Sequence, residues 1–303
     1  METSEKYCIV TVTTESYSQW TMTMIFSFLR SNEWFVGDII VISNDLTEET
    51  SEMFAVFNNL IIKKPSDRLI GKVANLSNQI PGFKNIASMF YSLELFNLKG
   101  YKKVLFLDSD MLVIQSVREV LDFDARFVAC VESCWYSGMG RKVDTYESTG
   151  SWPDPAMFIK NPINSGFMVI DEHHLTYENY DDLIDMIEAG LWSNKKTFHA
   201  DQLIINLFFK NRITLADARY NYRPTNAAGI RRRDQINFED AKIIHYFRQY
   251  KPWNFKEVFE LSRHEMVNLR AFKLWYTWYI DFLKFYHLKS KINILLNHEQ
   301  IHS

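Results

Sequence analysis

The feature that most constrains this chain is a run of short β-branched, apolar segments separated by helix-length stretches. Residues 7–12 (Tyr-Cys-Ile-Val-Thr-Val), 38–43, 60–62 and 104–107 are too short for helices and too apolar for loops. Between them, residues 17–31 place Trp20, Met24 and Phe28 four apart, the spacing of one helical face. Residues 46–57 and 85–98 are also predicted to be helical. This alternation predicts an α/β fold in which helices cover both faces of a mostly parallel sheet. Ligands of such sheets gather beyond the carboxyl ends of the strands. That rule singles out Thr13, Thr14 and Asp108, together with Asn164-Ser165-Gly166 if 167–170 is a strand. Downstream, 178–189 and 200–210 have helical periodicity, whereas 132–160 has no period and is predicted to be a lid or binding loop.

Composition excludes several classes. With 303 residues and 47% of them hydrophobic, the chain can bury a large core. Its formal net charge is -3, and Arg231-Arg232-Arg233 is only a short basic cluster, so nucleic acid is not an expected partner. Cys8, Cys130 and Cys134 are an odd set without a C-x-x-C pair, which fits a reducing compartment better than a disulfide framework. The first residues, Met-Glu-Thr-Ser-Glu-Lys, contain no apolar signal core, and no apolar run reaches about 18 residues. The expected setting is cytoplasmic.

Four segments carry chemistry. Val104–Val113 delivers Asp108 and Asp110 from the end of an apolar strand. Two neighbouring carboxylates repel, and a divalent cation would let both stay ionised while gripping a diphosphate; a solvated turn is the plainer reading. The segment 243–253 offers His245, a potential metal ligand, and Lys251, a point charge for a phosphate, although a lone histidine after a strand is more often structural. Asn164-Ser165-Gly166 offers hydrogen-bonding groups beside a residue that permits close backbone approach. Asp201 and Gln202 either cap a helix or face a ligand.

In this order the segments resemble glycosyltransferase family 8, the group of glycogenin and the bacterial lipopolysaccharide galactosyltransferases. The opening Val10–Thr14 with Tyr17 resembles the family's first strand and base-binding turn. Asp108-Ser109-Asp110 matches its D-x-D, Asn164-Ser165-Gly166 its N-S-G, Asp201-Gln202 its D-Q, and His245 to Trp253 its H-F-x-G-x-x-K-P-W. One such motif is weak evidence, but five in order are specific.

The resemblance implies a GT-A fold, a Rossmann-like mixed sheet with a nucleotide-binding half over about 1–115 and an acceptor half over 116–260. It further implies a UDP-sugar donor, Mn²⁺, and retention at the anomeric carbon of a transferred hexose. By position, Asp108, Asp110 and His245 become metal ligands. Val12, Thr13, Thr14 and Tyr17 become contacts to uracil and ribose, with Asp108 also facing the ribose. Lys251 falls to the diphosphate. Asn164, Asp201 and Gln202 fall to the donor sugar and reacting face, and Ser109, Ser165 and Gly166 complete the donor site. Three positions depart from the pattern. Arg248 replaces a glycine, Phe198 replaces an acid, and Ala87 replaces a donor-contacting lysine for which Lys84, one turn earlier, is the expected substitute.

The acceptor is not fixed by sequence; a glycan, a lipid-linked sugar or a protein all fit. Trp135, Tyr136, Tyr146 and Trp152 make 132–160 a candidate stacking lid, with packing against the body as the alternative. Residues 261–303 are predicted to be a helical extension with a narrow polar stripe. It would pack on the body or a second copy, or lie on a membrane surface. A phosphatase of the haloacid dehalogenase type also sets D-x-D after a strand, but favours Thr or Val where Leu112 stands. A non-catalytic sugar-nucleotide or glycan binder on the same fold is the other alternative.

Overall fold

The computed structural model describes residues 6–136, 162–192, 199–247, 251–262 and 266–301. Nine strands form two sheets among these residues: β1 (Tyr7–Val12), β2 (Asp38–Ile42), β3 (Leu60–Lys63), β4 (Lys103–Leu107), β5 (Met111–Val113), β6 (Phe127–Val131), β7 (Ile163–Asp171), β8 (Thr214–Ala216) and β9 (Ile243–His245). The larger sheet has the order β3-β2-β1-β4-β7-β6-β8, and β7 alone runs against its neighbours. It is the mixed, mostly parallel GT-A sheet. The chain winds outward from β1 through β2 to β3, then returns to place β4 on the other side of β1. The crevice beyond the ends of β1 and β4 is therefore a topological switch point.

Both faces of the sheet are covered, which is why its central strands read as nearly unbroken apolar runs. Alternate residues feed two separate cores. Cys8, Val10, Val104, Phe106, Met168 and Ile170 pack on one side with helix α3 (Asp67–Gln79) and the segment Pro81–Asn97. Ile9, Leu105, Leu107 and Val169 pack on the other with α1 (Ser18–Ser31). The start of α3 is fixed by Ser66, whose hydroxyl accepts from the Leu69 amide at 3.1 Å.

Two predicted helices differ in form. The helix expected over 46–57 is α2 (Glu48–Met53), followed by a 3₁₀ turn at Phe54–Val56. The segment expected as helix over 85–98 is wound as 3₁₀ turns from Pro81 to Asn97. In 3₁₀ winding, residues three apart share a face. Asn85 and Ser88 accordingly take the face toward the strand ends, while Lys84 is exposed.

The remaining helices are α4 (Tyr177–Asp185), α5 (Asp201–Phe208), α6 (Ala227–Asp234), α7 (Phe255–Ser262) and α8 (Met266–Ile301). One face of α8 packs on the body. Trp275 and Phe282 are buried, and Phe26 meets the rings of Trp278, Phe282 and Phe285. Its outer face leaves Ile280, Leu283 and Leu288 exposed. Among the described residues, no helix is long and apolar enough to cross a membrane.

Candidate active site

The small second sheet does the assembly. Just past the D-x-D turn, β5 pairs antiparallel with β9, with Met111 opposite His245. The Tyr246 amide then donates to the Asp110 carbonyl at 3.1 Å. A histidine far along the chain is thereby set beside two acids at the end of β4. Ligand atoms of Asp108, Asp110 and His245 all lie within 4.8 Å of one another. The His245 Nε2 is 3.6 Å from Asp108 Oδ2 and 3.2 Å from Asp110 Oδ1.

The role of that nitrogen is set from behind. Buried Asn221 donates through Nδ2 to Asn164 Oδ1 at 2.8 Å, which turns its own Oδ1 to His245 Nδ1, also at 2.8 Å. The proton of a neutral ring is held on Nδ1, and Nε2 presents a lone pair to the acids. Burial pushes the His245 pKa down, favouring that neutral ring. Two acceptors, Nε2 and Asp110 Oδ1, therefore face each other, and Asp110 Oδ1 is buried without a hydrogen-bond partner among the described residues. Two carboxylates with one imidazole form a donor set suited to a divalent ion.

Gly166 leaves the space. A Cβ on it would stand 2.7 Å from both Asp108 Oδ2 and His245 Cε1. The two acids are not equivalent. Burial and the Asp110 charge push the Asp108 carboxyl well up. Burial also acts on Asp110, but the Lys251 ammonium beside it leads the groups that hold that carboxyl down. Lys251 bonds Asp110 Oδ2 and donates to the Tyr246 carbonyl at 2.8 Å. Its segment is anchored by Trp253, which stacks on Trp20 at 4.5 Å and meets the Tyr17 ring edge-on at 5.6 Å.

These groups floor an open cleft of about 700 Å³, within the ~300–1,000 Å³ range of small-molecule sites. One end is lined by Val12, Thr13, Thr14, Tyr17 and Asp45. Thr13 is held by its amide bond to Ile42 and by a 2.7 Å hydroxyl contact with Thr21. Asp108, Ser109, Asp110, His245 and Lys251 form the middle. The other end has Glu132, Asn164, Ser165, Asp201, Gln202 and Phe247. Asp201 receives the Ser92 hydroxyl at 2.8 Å, and burial nevertheless pushes its carboxyl up to about 6.

All the sequence-predicted site residues line this cleft except two. Gly166 lies beneath the acids and imidazole. Lys84 is exposed, and the cleft face of its segment belongs to Asn85, Ser88 and Ser92. Of the two readings for Trp135 and Tyr136, a stacking lid or packing on the body, the structure shows packing: Arg233 lies 4.8 Å over Trp135, and Tyr136 donates to Asp234 at 2.7 Å. Tyr146, Trp152, Phe198 and Arg248 lie outside the described residues.

Sequence reasoning passed over Asp45, Ser92, Glu132 and Asn221. Asp45 and Glu132 follow the ends of β2 and β6, so the strand-end rule applied to Asp108 would have found them. Asn221, in Tyr220-Asn221-Tyr222, has no local signal because its role depends on two distant partners.

Comparison with known proteins agrees with this architecture. Galactinol synthase 5 of Arabidopsis thaliana is 22% identical over 218 residues, covering 67% of this chain and 63% of that protein. The match thus spans under two thirds of that relative's length. The glycosyltransferase GlyE of Streptococcus pneumoniae is 25% identical over 189 residues, 59% of this chain and 40% of that one. In structure, the galactosyltransferase LgtC, solved with donor and acceptor sugar analogues, superposes with a TM-score of 0.67 at 17% identity, over 90% of this chain and 95% of its own. The crystal structure of GlyE gives 0.61 at 19% identity, over 93% and 63%. The family model "Glycosyl transferase family 8" matches residues 8–257, and the chain belongs to that family.

Proposed function

We propose that this protein is a Mn²⁺-dependent, retaining hexosyltransferase that moves glucose or galactose from a UDP-sugar to a hydroxyl acceptor. The observation carrying this reading is the opposed pair of acceptors at the switch point, His245 Nε2 and Asp110 Oδ1, with Asp108 beside them. Asp108, Asp110 and His245 would hold the cation, and a divalent ion there supplies the charge that neutralises a departing diphosphate.

The chain's own residues do the rest. Val12, Thr13, Thr14 and Tyr17 receive the uracil and ribose at the closed end of the cleft. Lys251, tied to Asp110 and the Tyr246 carbonyl, adds a fixed positive charge as the sugar–phosphate bond breaks. Asn164, Ser165, Asp201 and Gln202 bind the hexose and form the reacting face. The acceptor hydroxyl then attacks from the side the diphosphate leaves and gives its proton to that leaving group, which retains the configuration. The acceptor is a glycan, a lipid-linked sugar or a protein hydroxyl. The apolar outer face of α8, with Lys284 and Lys291 nearby, supports contact with a membrane surface or a second copy, separable by liposome pelleting and sedimentation.

The test is a panel of nucleotide sugars with MnCl₂, following UDP release. Release from a UDP-hexose, lost on chelation, is expected. Release from none would favour a binder on the same fold.

A further inference from the structure

Behind the sugar end of the cleft stands a charge the transferase reading does not use. Arg223 is wholly buried. It donates through Nη2 to the Val131 carbonyl at 2.6 Å and lies 5.6 Å from the rings of both Tyr136 and Phe247. Among the described residues its Nε and Nη1 have no hydrogen-bond partner. A buried guanidinium so incompletely bonded is costly, and an apolar side chain would pack there with less penalty. Its electrostatic partner is Glu132, 4.0 Å away and equally enclosed.

Glu132 is the hub of the cleft's amides. Its Oε2 accepts from Asn164 Nδ2 at 3.1 Å and from Gln202 Nε2 at 3.0 Å. An ionised carboxylate only accepts, so it draws the NH₂ end of both amides toward itself. Their oxygens then face the other way. Gln202 Oε1 receives Asn164 Nδ2 at 3.0 Å and the Ser165 amide at 3.3 Å. Asn164 Oδ1 receives the Gly166 amide at 3.2 Å and Asn221 Nδ2 at 2.8 Å. Every bond in the cluster is consistent with an ionised Glu132.

We propose that Arg223 is a positioning residue of the active site: its buried charge keeps Glu132 a carboxylate, and that carboxylate clamps Asn164 and Gln202 in the orientation the reacting face needs. Around Glu132 the charged and polar groups are Arg223 ahead of α6, Ser133 on its own segment, His199 ahead of α5, Asn164 on β7 and Gln202 on α5. Burial alone would raise this carboxyl; Arg223 leads the opposing group, with Ser133 and His199, and the balance leaves it at about 2. Without Arg223 the largest opposing contribution disappears, and Glu132 takes up a proton near working pH. The two amides then lose a charge-assisted acceptor. The part played by the clamp in turnover rests on the transferase reading; the ionisation of Glu132 does not.

The experiment compares wild type, Arg223→Met, Arg223→Lys and the double variant Arg223→Met/Glu132→Gln. Glutamate side chains are labelled with ¹³C, and the Glu132 resonance is assigned by its loss in Glu132→Gln. In wild type that carboxyl should stay ionised down to about pH 4, in Arg223→Lys nearly so, and in Arg223→Met it should titrate near pH 7. UDP release from UDP-glucose and UDP-galactose should fall less than about twofold in kcat for Arg223→Met at pH 7.5 and about tenfold at pH 6. The double variant should lose that extra acid sensitivity. An unchanged Glu132 titration in Arg223→Met, or an acid limb persisting in the double variant, overturns the proposal. Where Met at 223 prevents folding, Arg223→Gln makes the same comparison. Absence of UDP release from wild type would count against the transferase reading alone, because the carbon titration still decides the pairing.

Discussion

His245 directs its unprotonated Nε2 at Asp110 Oδ1 across 3.2 Å, and Asn221 holds the ring proton on the opposite side. Two lone pairs at that separation repel, so the pair is stable only with positive charge between or beside them. Lys251 meets Asp110 through the other oxygen, Oδ2, which leaves Oδ1 aimed at the imidazole with no hydrogen-bond partner among the described residues. Removing either half of this relationship should be read first in metal affinity and only then in turnover.

Asp110→Ala removes one ligand and strips Lys251 of its anion. Mn²⁺ affinity, measured by electron paramagnetic resonance of the free ion, should fall by at least about 100-fold, and UDP release should be lost. Undiminished Mn²⁺-dependent release from this variant would remove the metal assignment.

Asn221→Leu keeps the volume near the ring and deletes the acceptor that fixes its tautomer. Mn²⁺ affinity should weaken about 10- to 100-fold, the range seen for outer partners of metal-bound histidines. The melting temperature serves as the control for folding.

Gly166→Ala tests the space beneath the site. The new methyl would meet Asp108 Oδ2 and His245 Cε1 at 2.7 Å, so both ligands must move. Calorimetric titration with MnCl₂ should show weaker binding from an otherwise folded protein.

The legibility of this protein in its sequence divides along physical lines. Strands β1, β2 and β4 were readable because strands covered on both faces need unbroken apolar runs, and the acids at their ends follow from where such sheets bind ligands. Helix α3 was passed over, although Ser66 and the one-faced spacing of Leu69, Val73 and Leu76 carry a signal for it. The 3₁₀ winding of Pro81–Asn97 was not readable, since apolar spacing over so short a stretch fits either helix, and with it went the place of Lys84. The pairing of β5 with β9 is invisible locally: three-residue strands have no pattern, and their union depends on the whole sheet being in place. Arg223 is hidden for the opposite reason, because a lone arginine reads as surface until burial shows otherwise.

Stability should carry the mark of the site in its pH dependence. Asp201 stands at about 6 in the folded protein, above the ~3.9 of a free aspartate. A carboxyl raised on folding binds its proton more tightly when folded, so its contribution is favourable below the unfolded value and is lost as pH rises through about 6. Asp201→Asn should therefore stabilise the protein at pH 7.5 by about 1–3 kcal/mol, and the gain should vanish between roughly pH 6 and 4. Urea unfolding across that range reads it directly. A constant difference over the whole range would contradict the assignment of the raised carboxyl.

The central claim is tested most directly by crystals grown with MnCl₂ and UDP, with anomalous data collected at the manganese edge. The account predicts one strong peak in contact with a carboxylate oxygen of Asp108, one of Asp110 and the Nε2 of His245, with the diphosphate on its open side. A peak bound elsewhere, or an imidazole of His245 turned from the two acids, would contradict it.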